Sequence, residues 1–286
     1  MIFIRIPVLR FELPLPRFDN AQAAMQNGVT MKTILLIGIG PGDPDALTLA
    51  AIKAIRRVDV FFFLEKDGDG KDSLIRFRRE VIDQHRGTLP YRIASGRSPT
   101  RDRTSPDYTD AVEVWRHRRT EEIETLIDGK MADGEIAGFL VWGDPSLYDG
   151  TMQSLHDLID GGRTDIAFEV IPGITSVQML TARHKIPLNR IGESITITTG
   201  RQVEESDPAT LNNAVVMLDS RSAFRRLEGS GDVDIYWGGD VGGPDEVLIA
   251  GRLDDVADRI DAAIAEQRTR KGWIMDAYLV RRRRPE

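Results

Sequence analysis

The sequence predicts an α/β protein with two α/β domains, the first built mainly on a parallel sheet and the second on a mixed sheet. In the first part of the chain, continuous apolar runs of strand length alternate with helical segments that carry one apolar stripe. This alternation is typical of βαβ units, whose parallel strands are buried on both faces. After Arg190 the strand-like runs become alternating and β-branched, beginning at Ser194 to Thr199. That change of period indicates a second sheet, so we place the domain boundary near Arg190.

The first domain is expected to cover residues 31–190. Its predicted strands are 34–37, 58–64, 136–142 and 167–171, and its predicted helices are 45–57, 72–84, 108–127, 151–159 and 174–184. Asp45 is the expected cap of the first helix, because a carboxylate can accept hydrogen bonds from the free amides of a first turn. The stretch at about 65–130 is a long insert, with irregular chain expected between its two helices.

The second domain is expected to cover residues 191–286. Its predicted strands are 194–199, 214–218, 233–237, 247–250 and 273–280, with one helix at 254–267. Antiparallel pairing of the terminal strands would make this sheet mixed. Residues 281–284 are arginines that we expect to form a solvated tail. Residues 1–30 are expected to be a poorly ordered extension, because prolines and charged residues interrupt their apolar character.

The composition is that of an ordinary soluble enzyme. A formal net charge of -7 disfavours nucleic acid and anionic membranes as the main partners. The chain has no cysteine, which excludes disulfides, thiolate catalysis and cysteine-ligated metals, and which fits a cytoplasmic location. The histidines, at positions 85, 117, 156 and 184, lack the spacing of metal ligands, so no metal is predicted.

The segment from Gly38 to Pro44 follows the apolar strand 34–37 and is similar to a nucleotide-binding turn, with two departures. A dinucleotide fingerprint has glycine where this chain has Asp43, and a carboxylate there would repel a pyrophosphate. Pro41 removes a backbone donor that a phosphate would use. The turn therefore favours an adenosine-containing ligand without phosphates, such as S-adenosylmethionine.

Two more turns follow predicted strands of the first domain. Gly143-Asp144-Pro145 follows strand 136–142, and Pro172 to Ser176 follows strand 167–171. Each of them alone is a common β-turn or helix cap. Ligands of open parallel sheets bind outside the carboxyl ends of the strands, where all three turns must lie. Their combination predicts one binding site.

With these three turns the chain resembles the tetrapyrrole methylase family, whose members transfer a methyl group from S-adenosylmethionine to uroporphyrinogen, precorrins or diphthamide precursors. The resemblance covers Met31 to about Arg283. It implies a homodimer, with the active site of each chain in the cleft between its two α/β domains. It also implies a set of cofactor contacts, which are Pro41, Gly143, Asp144, Leu147, Thr175, Ser176, Met217, Leu218, Gly239 and Ile274.

The insert resembles that of one branch of the family, which methylates ring carbon 1 of precorrin-5 and releases an acetyl unit as acetate during cobalamin synthesis. The segments that carry this resemblance are Phe63 to Gly68, Arg101 to Arg103, Trp115 to Arg118 and Gly272 to Leu279. Precorrins carry many carboxylates, and arginine binds carboxylates through paired hydrogen bonds. The expected substrate contacts are Arg97, Arg101 and Arg103.

Acetate release needs water to attack an acetyl carbonyl, and this step requires a base or a group that orients the water. The candidates are Glu65, Asp107, Tyr108 and His117. Three alternatives stay open. A family member could methylate a different ring carbon. An NAD-dependent oxidoreductase is favoured by the βαβ unit and by Glu65, which lies near the position of a ribose-binding acid. A non-catalytic protein that binds tetrapyrroles or nucleic acid would leave the three turns unexplained.

Overall fold

The computed structural model describes residues 30–65, 72–100, 108–219 and 221–283. The first of its two five-stranded sheets has the strand order β3-β2-β4-β1-β5, and all of these pairs are parallel. Its strands are β1 (Lys32–Gly38), β2 (Val60–Glu65), β3 (Arg92–Arg97), β4 (Ile136–Val141) and β5 (Ile166–Ile171). The predicted parallel sheet is confirmed. Residues 1–29 of the predicted extension, and the candidates Arg101, Arg103 and Asp107, lie outside the described residues.

Helices cover both faces of the first sheet. On one face α1 (Leu49–Ile55) and α2 (Asp72–Arg86) pack against Leu35 and Ile37 of β1. On the other face α3 (Tyr108–Lys130) and α4 (Thr151–Asp160) pack against Ile34 and Leu36. Successive residues of a strand point to opposite faces, so a continuous apolar run can supply both cores.

Two details of the first domain differ from the sequence-based expectations. The segment expected to be irregular contains β3, which pairs with β2 along its whole length at the edge of the sheet. The sequence of β3 matches a strand pattern only weakly, because Ile93 and Ala94 are its only apolar side chains. Asp45 does not cap α1: Thr48 does, through its hydroxyl and the amide of Ala51, while Asp43 caps a separate short 3-10 helix, Pro44–Ala46.

The second sheet is mixed, as predicted, with the strand order β6-β7-β10-β8-β9. Its strands are β6 (Thr196–Thr199), β7 (Ala214–Met217), β8 (Val233–Gly239), β9 (Val247–Arg252) and β10 (Asp276–Arg282). Only β6 and β7 pair in parallel. The remaining elements are α5 (Ser176–His184), α6 (Gly200–Glu205), α7 (Leu253–Lys271) and the 3-10 helices Pro208–Thr210 and Ala223–Leu227.

The two sheets are joined by α5, which follows β5 along the chain but packs against the second sheet. Met179 and Leu180 of this helix share a buried cluster with Val215 of β7 and Leu279 of β10. The other face of the second sheet packs against α7, where Ile260 is fully buried. In the described part of the chain, none of the helices is long and apolar enough to cross a membrane.

The arginines at the end of the chain are not a solvated tail over residues 281–282. Arg281 is buried in β10, and its Nε donates to Asn213 Oδ1 at 3.0 Å. Arg282 donates to the carbonyl oxygens of Ser230 and Pro208, and Arg283 pairs with Asp234 at 2.8 Å. Arg281 and Arg282 therefore belong to the fold, because β10 extends further than its apolar pattern indicated, whereas Arg283 is exposed just after the strand.

Candidate functional site

The three predicted turns lie side by side at the carboxyl edge of the first sheet. Turn one (residues 39–43) follows β1, turn two (residues 142–150) follows β4 and turn three (residues 172–175) follows β5. These strands are neighbours in the order β4-β1-β5. The chain leaves β1 for α1 on one face of the sheet but leaves β4 for α4 on the opposite face, so the connections of these two neighbouring strands separate at this edge. Such a point of divergence is where open parallel sheets bind their ligands.

The three turns meet through backbone atoms. A Cβ placed on Gly38 would lie 2.5 Å from the amide nitrogen of Gly173 and 2.8 Å from the carbonyl oxygen of Gly143. Gly40 and Gly143 form an isolated bridge, in which Gly143 N donates to Gly40 O at 2.8 Å. Packing between the turns therefore requires glycine at positions 38 and 173, whereas Gly40 and Gly143 have positive φ angles of 76° and 68°.

Asp144 ties turn two to turn three. Its Oδ2 accepts a hydrogen bond from Gly173 N at 2.7 Å, and its Oδ1 accepts from both the amide and the hydroxyl of Ser146. Burial alone would raise the pKa of Asp144, but these hydrogen bonds outweigh it and lower that pKa below its ordinary value. Asp144 is thus a fixed carboxylate that shapes the site.

Turn three ends in a helix cap. Thr175 accepts from Val177 N, while its own amide donates to Gln178 Oε1 at 3.1 Å in a capping box. Ser176 is the first residue of α5. Leu147 of turn two packs at the edge of the cluster that joins α5 to the second sheet. The first-domain candidates therefore occupy one continuous surface.

The second-domain candidates lie together at one end of the second sheet. Met217 and Leu218 stand at the end of β7, and Gly239 stands at the end of β8, next to the start of β10. A Cβ on Gly239 would lie 2.9 Å from Ile274 Cδ1, so these two residues touch. Leu218 is 65% exposed although it is apolar.

Three residues in these same turns have left-handed backbone, and two of them, Tyr148 and Asp240, were not among the site residues expected from the sequence. Tyr148 in turn two, Leu218 after β7 and Asp240 after β8 have φ angles of 55°, 55° and 46°. Left-handed backbone is costly for side chains other than glycine, asparagine and aspartate, and it concentrates at functional sites. This feature is a backbone conformation, and the residue types in the sequence do not indicate it.

Asp240 holds the segment that carries Ile274. Its amide donates to Met275 O at 2.6 Å, its Oδ1 accepts from Met275 N at 3.3 Å, and its Oδ2 pairs with Lys271 Nζ at 2.5 Å. These contacts fix the chain between α7 and β10 against the end of β8, which brings Ile274 against Gly239.

The second sheet brings a glycine turn against turn one. A Cβ on Gly242 would lie 3.3 Å from Pro41 Cγ, and one on Gly42 would lie 3.4 Å from Gly243 Cα. Pro41 and Gly42 are buried. These contacts place turn one at the cleft between the two domains.

An ion pair across this cleft changes what is expected of Asp43, whose carboxylate was predicted to repel a pyrophosphate. Arg183 of α5 pairs with Asp43 at 3.1 Å and with Glu246 of the second domain at 3.0 Å. The charge of Asp43 is therefore compensated, and repulsion of a pyrophosphate is weaker than expected from the sequence. The missing amide of Pro41 and the engagement of Arg183 still make turn one a poor phosphate cradle.

The predicted catalytic and substrate residues are distributed on the other side of the same edge. Glu65 ends β2, and its Oε1 accepts from Ser95 Oγ at 2.6 Å. Arg97 ends β3, is exposed and borders an open pocket of about 550 Å³. Tyr108 begins α3. His117 lies on the exposed side of α3, where it pairs with Glu121 one turn further on, so the structure does not bring it to Glu65.

A second pocket lies between Glu65 and turn two. Its volume is about 150 Å³, and its polar lining includes Arg78, Arg119 and Asp149. Neither arginine is among the substrate contacts expected from the sequence. Burial distinguishes both residues from exposed arginines, and it lowers the pKa of each guanidinium group.

A family model for tetrapyrrole (corrin/porphyrin) methylases matches residues 33–257 of the chain. The chain belongs to this family. A precorrin-6A synthase (deacetylating) from Sinorhizobium sp is 40% identical over 252 residues, which is 88% of this chain and 96% of the relative. A cobalamin-synthesis-related protein, CobF, from Corynebacterium diphtheriae has a solved structure with a TM-score of 0.73 and 36% identity, covering 88% of this chain and 98% of that one.

More distant tetrapyrrole methylases share the fold. The uroporphyrin-III C-methyltransferase of Thermus thermophilus, solved in complex with S-adenosylhomocysteine, has a TM-score of 0.55 and 16% identity. The match covers 87% of this chain and 97% of that one. The expected family and its arrangement of two α/β domains are therefore confirmed.

Asp276 of this methylase lies beside Gly239, at the start of β10. Burial raises its pKa to about 7; the hydrogen bond from Trp237 Nε1 lowers the pKa, and the charge of Asp219 raises it. The folded state therefore keeps a proton that the unfolded chain releases at lower pH. The resulting stability is fully present below about pH 4 and is lost as the pH rises through about 7.

We expect Asp276→Asn to stabilise the protein at neutral and higher pH, because asparagine keeps an acceptor for Trp237 without a charge. The free energy of unfolding of the variant minus that of the wild type should increase by on the order of 2 kcal/mol between about pH 5 and pH 8, as the wild-type carboxyl ionises. Urea unfolding at both pH values measures it. Asp160→Asn, at an exposed carboxylate of α4, is the control, and a gain independent of pH would contradict the prediction.

Proposed function

We propose that the protein is an S-adenosylmethionine-dependent C-methyltransferase of cobalamin synthesis. In this proposal it methylates ring carbon 1 of precorrin-5 and releases acetate to give precorrin-6A. The observation that carries the proposal is the 40% identity to a precorrin-6A synthase (deacetylating) across 88% of the chain, together with the cleft that its three turns form with the second sheet.

The residues of the cleft fit S-adenosylmethionine. Leu147, Met217, Leu218 and Ile274 offer apolar surface to an adenosyl group, and the tightly packed glycine turns leave backbone groups as its polar partners. Arg183, the cation that reaches turn one, is already held by two carboxylates. A ligand that carries no phosphate suits such a donor set. We propose Pro41, Gly143, Asp144, Leu147, Thr175, Ser176, Met217, Leu218, Gly239 and Ile274 as its contacts.

Methyl transfer in this site depends on positioning. S-adenosylmethionine supplies an electrophilic methyl group, and a pyrrolic carbon is already nucleophilic, so the protein has to align and dehydrate the reactants. Asp144, Asp240 and the glycine contacts hold the turns rigidly for this purpose. Rigid turns reduce the entropy that is lost when the reactants are aligned.

Release of the acetyl unit is a hydrolysis that needs a second group. Water adds to the acetyl carbonyl, the bond from that carbonyl carbon to the macrocycle breaks with its electron pair moving to the macrocycle, and acetate leaves. We propose Glu65 as the residue that orients this water or takes its proton. Glu65 stands at the carboxyl end of β2, at the border of the 150 Å³ pocket. Asp107 and Tyr108 stay candidates for the same role, while the exposed position of His117 makes it the weakest of the four.

We expect S-adenosylhomocysteine to bind the wild-type protein and to bind Leu218→Asp at least about tenfold more weakly, because a charge would stand against the adenosyl group. Leu218 is exposed and has a positive φ, which aspartate tolerates, so folding should be preserved. Isothermal titration measures the affinity. The matched control is Leu89→Asp, at an exposed leucine outside the cleft. Binding of NAD in place of S-adenosylhomocysteine would overturn the cofactor assignment.

We expect the product of precorrin-5 and S-adenosylmethionine to gain one methyl group and lose the two-carbon unit. With Glu65→Gln, methyl transfer should continue while acetate release slows by about 100-fold or more, the usual effect of removing a general base. Mass spectrometry of the macrocycle and an enzymatic acetate assay measure the two steps separately. A methylated product that keeps its acetyl unit in the wild type would place the protein in another branch of the family.

We propose further that the domain boundary lies near Arg190 and that the insert at about 65–130 faces the substrate. We also propose that the protein works in the cytoplasm as a homodimer. The exposed edge strand β6 and the exposed side chains of Ile191 and Ile197 support an interface there. Light scattering should give the mass of two chains for the wild type and of one chain for the doubly substituted Ile191→Asp, Ile197→Asp variant. A monomeric wild type would contradict the dimer.

A further inference from the structure

The first sheet splits between β2 and β4. These strands pair only at Val60 with Ala137 and at Phe61 with Gly138, although β2 continues to Glu65 and β4 continues to Val141. Beyond the split, β2 remains paired with β3 and β4 remains paired with β1. The 150 Å³ pocket occupies this gap, and its apolar walls come from both strands.

Two arginines reach the gap from opposite faces of the sheet. Arg78 belongs to α2, and its Nε donates to Leu140 O on β4 at 2.9 Å, beyond the point where β2 stops pairing. Arg119 belongs to α3, on the other face, and its Nη2 donates to Thr151 Oγ1 at 2.8 Å. Both side chains are partly buried. The split in the sheet is therefore filled by positive charge from two sides.

These charges are incompletely compensated. Among the residues that the structure describes, neither guanidinium group forms an ion pair, and Arg119 Nε is buried without a hydrogen-bond partner. Burial is the main cause that lowers the pKa of both groups, and repulsion by Arg119 lowers that of Arg78 further. The charge of Asp149 raises the pKa of both guanidinium groups, and its Oδ1 accepts a hydrogen bond from Thr151 N. Asp149 is thus the carboxylate whose charge acts on both cations.

We propose that the gap holds a short aliphatic carboxylate, with Arg78 and Arg119 as its binding residues. A guanidinium group offers paired donors to a carboxylate, and the apolar walls suit a short alkyl chain. A pocket of 150 Å³ has about the size of an engineered cavity that holds benzene, so it admits an acetate or propionate group and excludes a macrocycle. Glu65 also lines the pocket, but its Oε1 accepts from Ser95 on β3 and, among the described residues, it forms no ion pair with Arg78 or Arg119.

This assignment deepens the proposed function and rests on it for the source of the carboxylate. The carboxylate is either an arm of the bound macrocycle or the acetate that leaves. Both sources share one chemistry, and both place a carboxylate next to the end of β2, where Glu65 stands.

The test uses sodium acetate as the probe of the full chain, without tetrapyrrole or cofactor, at low chloride. Saturation-transfer NMR of the acetate methyl protons should show saturable binding, and acetamide, its neutral analogue, should show none. Arg119→Gln should weaken acetate binding at least about tenfold, whereas Arg119→Lys, which keeps the charge, should weaken it less. Arg119 suits the test because Arg78 also holds the carbonyl oxygens of Leu140 and Leu74.

Arg76→Gln is the matched control, because Arg76 is exposed on the same helix as Arg78. Thermal unfolding confirms that each variant is folded. The assignment is overturned if acetate shows no saturable signal at any concentration that leaves the protein folded, or if Arg119→Gln binds acetate as tightly as the wild type. These outcomes leave methyl transfer untouched, and a failure of methyl transfer leaves acetate binding untouched, so the two proposals fail separately.

Acetate as an inhibitor of the complete reaction then identifies the source. Inhibition that is competitive with the macrocycle assigns the gap to a carboxylate arm of the substrate. Inhibition that is noncompetitive with the macrocycle assigns it to the released acetate. Either pattern supports the carboxylate site.

Discussion

The packing of backbone against backbone at Gly38, Gly143 and Gly173 is the constraint from which the rest of the site follows. Three adjacent strands end where no side chain fits between them, because a Cβ on Gly38 would lie 2.5 Å from Gly173 N. Turns two and three are further locked by Asp144, whose carboxylate accepts the Gly173 amide. A ligand at this edge therefore meets a surface that is already formed, which lowers the entropic cost of binding.

The same rigidity extends to the second sheet through α5. This helix begins with the cap at turn three and contributes Met179 and Leu180 to a cluster with the second sheet. Arg183 near its end pairs with turn one and with Glu246, so one helix fixes the distance between the turns of both domains. The ion pairs are partly exposed and stabilise the fold little by themselves. Their importance lies in holding the geometry of the cleft.

Much of this arrangement could be predicted from the sequence. Continuous apolar runs such as 34–37 indicated buried parallel strands, and the order of the three turns led to the family. β3 was missed because an edge strand needs few apolar residues when its neighbour supplies the pairing. The left-handed Tyr148 and Leu218, and the buried side of Arg119, could not be read from residue types. They depend on contacts between elements that are distant in sequence.

The strand order divides the carboxyl edge into two regions with different requirements. The proposed cofactor turns follow β4, β1 and β5, whereas Glu65 and Arg97 end β2 and β3 on the other side. The split between β2 and β4 separates the two regions mechanically, because the hydrogen-bond ladder does not continue across it. The two regions still touch through Trp142, which packs on Phe77 of α2 at 5.2 Å, and through Arg78, whose Nε donates to Leu140 O.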